Sequence, residues 1–203
     1  MENYNQKSKQ YFDSQAENYD NSHDGKFVLP MYNEILRRIE KANVRALLDI
    51  GCGTGNVLAR LMNTDISLLG IDISDKMIEV ATGRLGERAR LITGDAENLP
   101  YADESVDFIV CNASFHHYSH PQKVLSEMYR VLIPDGILLI GDPQAPALIR
   151  VIMNIGMKYS NSGDYKLYSK SEFSKQLMKC GFEMYYWTKP TYKTCVLEAK
   201  KIV

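Results

Sequence analysis

Leu47-Leu48-Asp49-Ile50-Gly51-Cys52-Gly53-Thr54-Gly55-Asn56 decides the fold. An apolar run of strand length meets three alternating glycines, after which Val57, Leu58, Leu61 and Met62 recur at helical spacing. Glycine in such a strand-to-helix turn takes up positive φ and lets a ligand approach main-chain atoms without meeting a Cβ. The spacing selects among ligands. A dinucleotide fingerprint needs G-x-G-x-x-G, but counting from Gly51 puts Asn56 in the third glycine position, and counting from Gly53 puts Leu58 there. A P-loop needs Gly-Lys-Ser/Thr, which does not follow. The pattern is Asp-x-Gly-x-Gly-x-Gly, which suits neither a pyrophosphate nor a triphosphate. A turn that only reversed the chain would need one glycine.

Outward from this turn the chain alternates. Ala46–Ile50, Ser67–Asp72, Arg90–Thr93, Val106–Cys111 and Ile137–Gly141 are short apolar runs, each suited to a strand buried on both faces. Helical faces separate most of them: Met77, Ile78 and Ala81, then Val124, Leu125, Met128 and Leu132, opened by Pro121 and closed before Pro134-Asp135-Gly136. Between the third and fourth runs, Ala96–Ser105 holds Pro100 and several acids, so that helix is missing or very short. Such a series predicts an α/β fold, a doubly wound and mostly parallel sheet with helices on both faces. Upstream, residues 7–19 suit a short amphipathic helix. After a turn at Asn21–Gly25, a second helix follows Pro30, with Met31, Ile35, Leu36 and Ile39 on one face. Downstream, Ala147–Lys158 and Ser171–Cys180 read as helices, the latter stopped by Gly181. Phe182–Trp187 and Thr191–Ala199 read as an antiparallel pair joined across Pro190 at the sheet edge.

The 203 residues suit one domain, and 24 basic against 25 acidic side chains leave a formal charge of -1. No basic run appears, so nucleic acid is not an expected partner. The start of the chain is polar and no stretch approaches the roughly 18 apolar residues that span a bilayer, which points to a cytoplasmic protein without membrane insertion. Cys52, Cys111, Cys180 and Cys195 have no C-x-x-C spacing and no neighbouring His, so no metal is expected. Cys52 and Cys111 read as small apolar residues rather than as nucleophiles. Oligomeric state is not legible.

Two acids fall in register with the glycine turn. Asp72 ends the second strand about 20 residues after Gly51, where a carboxylate can accept hydrogen bonds from both hydroxyls of a ribose. Its alternative is a helix-start residue beside Ser74, the N-cap of a helix over Asp75–Arg84. Asp95 and Ala96 follow the third strand, where a carboxylate and a backbone N–H can read the amino edge of an adenine, although Gly-Asp also makes common turns.

With these residues in place the chain resembles class I S-adenosylmethionine-dependent methyltransferases, particularly the ubiquinone and menaquinone biosynthesis group. LLDIGCGTGNVL (47–58), GIDIS (70–74), GDAENLPYADESVDFIVCNASFHHYSHP (94–121) and RVLIPDGILLIGDP (130–143) carry the resemblance, which covers nearly all of residues 8–143. It implies a Rossmann-like, seven-stranded sheet and S-adenosyl-L-methionine as cofactor. Asp49, Gly51, Gly53, Thr54 and Gly55 would surround the methionine and ribose portion, Asp72 and Ile73 the ribose, Asp95 and Ala96 the adenine, and Asn112 the methionine arm. Tyr11 and Tyr19 match an N-terminal aromatic segment that folds over the site; two aromatic residues packing a helix on the sheet are the alternative.

Methyl transfer from a sulfonium has an excellent leaving group, so alignment and exclusion of water remain for the protein. A base is needed only for a protonated acceptor, and His116 and His117 follow the fourth strand where the methyl would emerge; they are the catalytic candidates, with bonding to the loop backbone as the alternative. His120, before Pro121, reads as structural. Asn112-Ala113-Ser114-Phe115 lacks the Asn/Asp-Pro-Pro-aromatic signature of amino-group methylases of DNA and glutamine, so a small-molecule acceptor is expected. Tyr159, Tyr165 and Tyr168 are placed where this fold often builds its acceptor pocket. The expected organisation is a helical cap over 1–42, a cofactor-binding core over 43–143, a lid over 144–170, and a helix with a strand pair over 171–203. A module that only binds the cofactor is the alternative to an enzyme, and a nicotinamide dehydrogenase is disfavoured by the glycine spacing.

Overall fold

The computed structural model describes residues 4–157 and 159–202. Helices α1 (Tyr4–Gln15) and α2 (His23–Lys41) precede β1 (Ala46–Ile50), the short α3 (Asn56–Ala59), β2 (Ser67–Asp72), α4 (Asp75–Leu85), β3 (Ala89–Thr93) and β4 (Val106–Asn112). Then follow α5 (Pro121–Val131), β5 (Leu132–Pro143), α6 (Ala147–Met157), α7 (Lys170–Lys179), β6 (Phe182–Thr191) and β7 (Thr194–Lys201). Among the described residues the strands form one sheet of seven, ordered β3-β2-β1-β4-β5-β7-β6, with β7 antiparallel to both neighbours. The α/β class, the parallel core and the antiparallel edge pair are as the sequence predicts.

Period-two alternation splits each central strand between two cores. Leu47 and Phe108 pack with Val28, Ile35, Ile39 and Leu58 on one face, while Leu48 and Ile109 pack with Val124, Leu125, Met128 and Phe173 on the other. Each such fully buried side chain contributes about 1.5–3 kcal/mol. The chain runs outward from β1 to β2 and β3, then returns to place β4 on the opposite side of β1. That reversal opens a crevice at the C-terminal ends of β1, β2 and β4, the usual ligand position of such sheets.

Several boundaries differ. Helix α2 starts at His23, because the Ser22 side chain accepts the Gly25 N–H as N-cap, and Pro30 lies inside the helix instead of opening it. Helix α3 stops at Ala59: the Thr64 hydroxyl bonds the Leu61 carbonyl and Arg88 bonds those of Met62 and Ile66, which turns the chain early toward β2. As an edge strand, β3 is only half-buried. Leu132 pairs with Val106, so β5 begins ahead of the Pro134-Asp135-Gly136 irregularity. Pro190 sits within β6, where an outer strand tolerates its missing N–H, and the hairpin turns at Tyr192-Lys193. Lys158, expected to end α6, lies outside the described residues. Helix α6 turns Arg150 and Asn154 inward, onto the Ala145 and Leu167 carbonyls, and leaves Leu148, Val151, Ile152 and Ile155 exposed. Among the described residues no helix is long and apolar enough to cross a membrane.

Candidate active site

The turn after β1 is tied to β2 through its backbone. Gly51 and Cys52 N–H both donate to the Ile71 carbonyl, at 2.8 and 3.1 Å. Asp72 accepts the Gly53 N–H at 2.8 Å on Oδ2 and the Ser74 N–H at 2.9 Å on Oδ1. The helix-start role of Asp72 is therefore real, and each oxygen keeps a lone pair for another donor. All three glycines have positive φ, but for different reasons. A Cβ on Gly55 would lie 2.8 Å from Leu85 Cδ1, so that glycine serves packing on α4. A Cβ on Gly51 would lie 2.1 Å from Ser114 Oγ, whereas one on Gly53 would meet no described atom within 4 Å. Gly51→Ala is thus expected to cost about 2–5 kcal/mol of stability, from left-handed backbone plus overpacking, and Gly53→Ala only about 1–2 kcal/mol. Denaturant unfolding of the two variants checks the difference.

Asp49 and Asp72 are both buried, at 2% and 9% exposure, at the ends of adjacent strands. Burial, and then the neighbouring charge of Asp72, push the Asp49 carboxyl up to about 8. Burial also raises Asp72, against the hydrogen bonds from Ser74 and Gly53. Asn112 Oδ1, beside them, is buried with no hydrogen-bond partner among the described residues.

Cavities follow the crevice. One of about 510 Å³ is lined by Gly51, Asp72, Ile73, Asp95 and Ala96. A second, of about 330 Å³, is lined by Asp49, Gly53, Thr54, Asn112 and Tyr19. Between them lies a passage flanked by Phe12, Asp72, Asn112 and His117. Beyond Phe12 and His117 opens a further cavity of about 540 Å³, whose lining includes the apolar Phe27 and Val28 with Tyr11, and the polar Asp24, His116 and Asp164. The fold thus brings together the residues singled out in the sequence for cofactor binding and catalysis, with two exceptions. Gly55 does not line these cavities, and Tyr11 lines the last one, where its hydroxyl donates to Asp24 at 2.8 Å. That bond and burial, burial first, push the Tyr11 hydroxyl up to about 12.

The tyrosines expected at an acceptor pocket are elsewhere. Tyr159 is 84% exposed, Tyr165 stacks edge-on against Tyr4, and Tyr168 is buried between Phe115 and Phe173. Ser162 and Asp164 of the same segment take their place, because Tyr165 and Lys166 N–H both donate to the His116 carbonyl and hold this loop against the β4–α5 turn. His116 Nδ1 bonds Asp142 Oδ1 at 2.8 Å, and its Nε2 lies 3.4 Å from Asp164 Oδ1. Burial alone would lower the His116 pKa, but Asp142 and Asp164 outweigh it and push it up to about 10. Burial, and then cationic His116, lower His117 to about 3. The exposed His120 ring bonds Glu97 at 2.9 Å, away from these cavities.

The N-terminal segment, expected from the sequence as a cap, holds the crevice loops through polar contacts that sequence reasoning did not single out. Asn5 donates to Asp95 at 2.9 Å, the Ser74 hydroxyl bonds Asp13 at 2.6 Å, and Asp20 accepts from Thr54 at 2.8 Å, from Asn56 at 2.6 Å and from Arg84. Burial would raise the Asp20 carboxyl, yet the bonds from Arg84, Thr54 and Asn56 lower it. Phe12 packs edge-on against both Tyr19 and His117, at 6.1 and 5.2 Å between ring centres. Asp142 was open to the rule that found Asp72, an acid ending a strand; Asp164 and Asp20 carry no local signal.

A sheet of this order, open over a glycine turn and an acid pair at its switch point, defines the class I methyltransferase fold. Residues 48–140 match the family described as "Methyltransferase domain". Over these residues the chain carries a methyltransferase domain of the class I, S-adenosylmethionine-dependent type. It is 36% identical over 115 residues to the uncharacterized methyltransferase YcgJ of Bacillus subtilis, covering 53% of this chain and 46% of that one. The crystal structure of YcgJ superposes with a TM-score of 0.71 at 20% identity, over 85% of this chain and 99% of that one. The demethylmenaquinone methyltransferase of Thermotoga maritima is 38% identical over 109 residues, 52% of this chain and 47% of that one. The chain spans about half the length of these curated relatives. The [4+2]-cyclase SpnF shares the fold, with a TM-score of 0.71 at 20% identity over 85% of this chain and 80% of that one, so fold alone does not carry the reaction.

Proposed function

We propose that this protein transfers the methyl group of S-adenosylmethionine to a small molecule held in the cavity beyond Phe12 and His117. The observation that carries this reading is the buried pair Asp49 and Asp72, which faces connected cavities and has an acid raised to about 8. Such a pair fits a ligand that brings positive charge to Asp49 and hydroxyl donors to Asp72. When bound, S-adenosylmethionine supplies a methyl group on a positively charged sulfur.

Asp49, Gly53, Thr54 and Asn112 bind the methionine arm in this reading, with Asn112 Oδ1 finding a donor there. Gly51, Asp72 and Ile73 hold the ribose, and Asp95 and Ala96 the adenine edge. Tyr19 and Phe12, with residues 1–42 and 144–170 as cover, exclude water from the passage. His117, neutral and packed edge-on against Phe12, flanks the path between the cavities and helps to orient the acceptor, while His116 is held in place by Asp142. A lining of Tyr11, Phe27 and Val28 with Asp24 among them suits an aromatic or apolar body that carries a polar group. The Thermotoga maritima relative is named for methylation of demethylmenaquinone, a small molecule. The four free cysteines suit a reducing, cytoplasmic setting.

S-adenosylmethionine and its demethylated product are expected to raise the thermal midpoint, by about 2.7 kcal/mol of stabilisation at a hundredfold excess over the dissociation constant, whereas nicotinamide dinucleotides should not. Equal shifts from the nicotinamide cofactors would refute the reading. Transfer of labelled methyl to a panel of phenols, quinols and amines then separates an enzyme from a cofactor-binding module.

A further inference from the structure

We propose that His116, His117 and Asp164 bind one divalent transition-metal ion of the zinc or iron(II) type on the polar side of the acceptor cavity. The two ring nitrogens, His116 Nε2 and His117 Nδ1, approach the same atom, Asp164 Oδ1, at 3.4 and 3.5 Å. Those separations exceed an ordinary N–H···O hydrogen bond. They match edges of a tetrahedron, since ligand atoms about 2.0–2.2 Å from a zinc ion lie roughly 3.3–3.6 Å apart. All three atoms fall within 4.8 Å of one another.

Two further features point the same way. His116 Nδ1 bonds Asp142 Oδ1 at 2.8 Å, which fixes the ring and aims Nε2 at the common point, the carboxylate–histidine–metal arrangement. His117 is nine-tenths buried, and its Nδ1 has no hydrogen-bond partner among the described residues although it lies 3.5 Å from the same Asp164 oxygen. An imidazole nitrogen left unsatisfied there is destabilising, and a coordinated ion would satisfy it. The backbone supplies the precision: Phe115–His117 form a 3-10 turn, and the Tyr165 N–H, next to Asp164, donates to the His116 carbonyl at 2.8 Å. Two imidazoles with one carboxylate select zinc, iron(II) or cobalt(II) over calcium and magnesium, which prefer an all-oxygen shell.

Three protein ligands leave a coordination position open to the cavity, where an oxygen of a small molecule can complete the shell. That last step rests on the cavity being the acceptor site; the binding of the ion does not.

The test titrates cobalt(II) into untagged protein stripped with a chelator, with no cofactor added. Expected is one ion per chain, with the strong visible bands of a four- or five-coordinate site, bleached by zinc. His117→Gln and Asp164→Asn should each weaken binding about 100-fold while circular dichroism stays unchanged. Should either variant misfold, zinc-dependent thermal stabilisation of the other, absent relative to the unaltered protein, gives the same answer. Failure to saturate at one ion per chain, or equal affinity in a folded His117→Gln, overturns the site. Thermal shifts by S-adenosylmethionine on the same stripped protein test the methyl-transfer reading separately, so either can fail alone.

Discussion

Asp49→Asn is expected to weaken S-adenosylmethionine binding by about 2 kcal/mol or more, since the cofactor's cation loses its charged partner, and at the same time to stabilise the free protein. The two effects have one cause. Burial and Asp72 raise the Asp49 carboxyl from its ordinary 3.8 to about 8. Between those values the folded state holds a proton that the unfolded chain has released, so this group makes the free protein less stable as pH rises through that window. Asparagine cannot ionise, and the substitution should return on the order of 1–3 kcal/mol near neutral pH. A cation arriving at neutral pH must displace the Asp49 proton. Cofactor affinity should therefore climb with pH by up to about tenfold per unit, level off above about 8, and lose that slope in Asp49→Asn. Calorimetry across pH, beside thermal melts of the free proteins, reads both. Asp72→Ala should instead lose affinity and stability together, because Gly53 and Ser74 N–H lose their acceptor. A variant at Asp49 that bound as well as the parent would remove the cation from the reading of this pocket.

The other large effect is expected at Asp142, which is fully buried and carries the His116 ring on Oδ1. In the metal-free protein Asp142 and Asp164 favour the charged form of His116, so Asp142→Ala leaves an imidazolium in the interior with Asp164 alone, 3.4 Å away. Breaking a buried pair from one side costs about 3–5 kcal/mol. For a chain of this size that is a fall of roughly 6–20 °C in the thermal midpoint. Asp142→Asn, which still accepts the His116 N–H, should lose less. The exposed Lys76–Glu79 pair is the control, and removing Lys76 should leave the thermal midpoint essentially unchanged. A loss under about 1 kcal/mol in Asp142→Ala would mean that His116 is neutral in the folded protein.

What could be read from residues 46–143 is what local rules control. The strand, glycine turn and helix of residues 46–59 are written in period and in glycine position, and the acids ending β2 and following β3 are written in their distance from that turn. Each depends on neighbours within a few residues, or on the repeating length of a βα unit, so the parallel core and the register of Asp72 and Asp95 with the glycine turn were legible before any coordinate, while Asp49 and Asn112 were implied only by the family resemblance. Tertiary structure alone decided the rest. Nothing local places Asp20 on Thr54, or Asp164 on His116, because those contacts join an N-terminal segment and a loop without periodicity to strand ends far away in sequence. The tyrosines of residues 159–168 look like pocket residues by composition, yet the main-chain bonds that pin Tyr165 and Lys166 to His116 rotate Asp164 inward and Tyr159 out to solvent. The acidity of Asp49 belongs to the same category. A carboxyl has its ordinary affinity for protons until the fold removes its water and sets a second acid beside it, and that cost exists only where distant strands close over both.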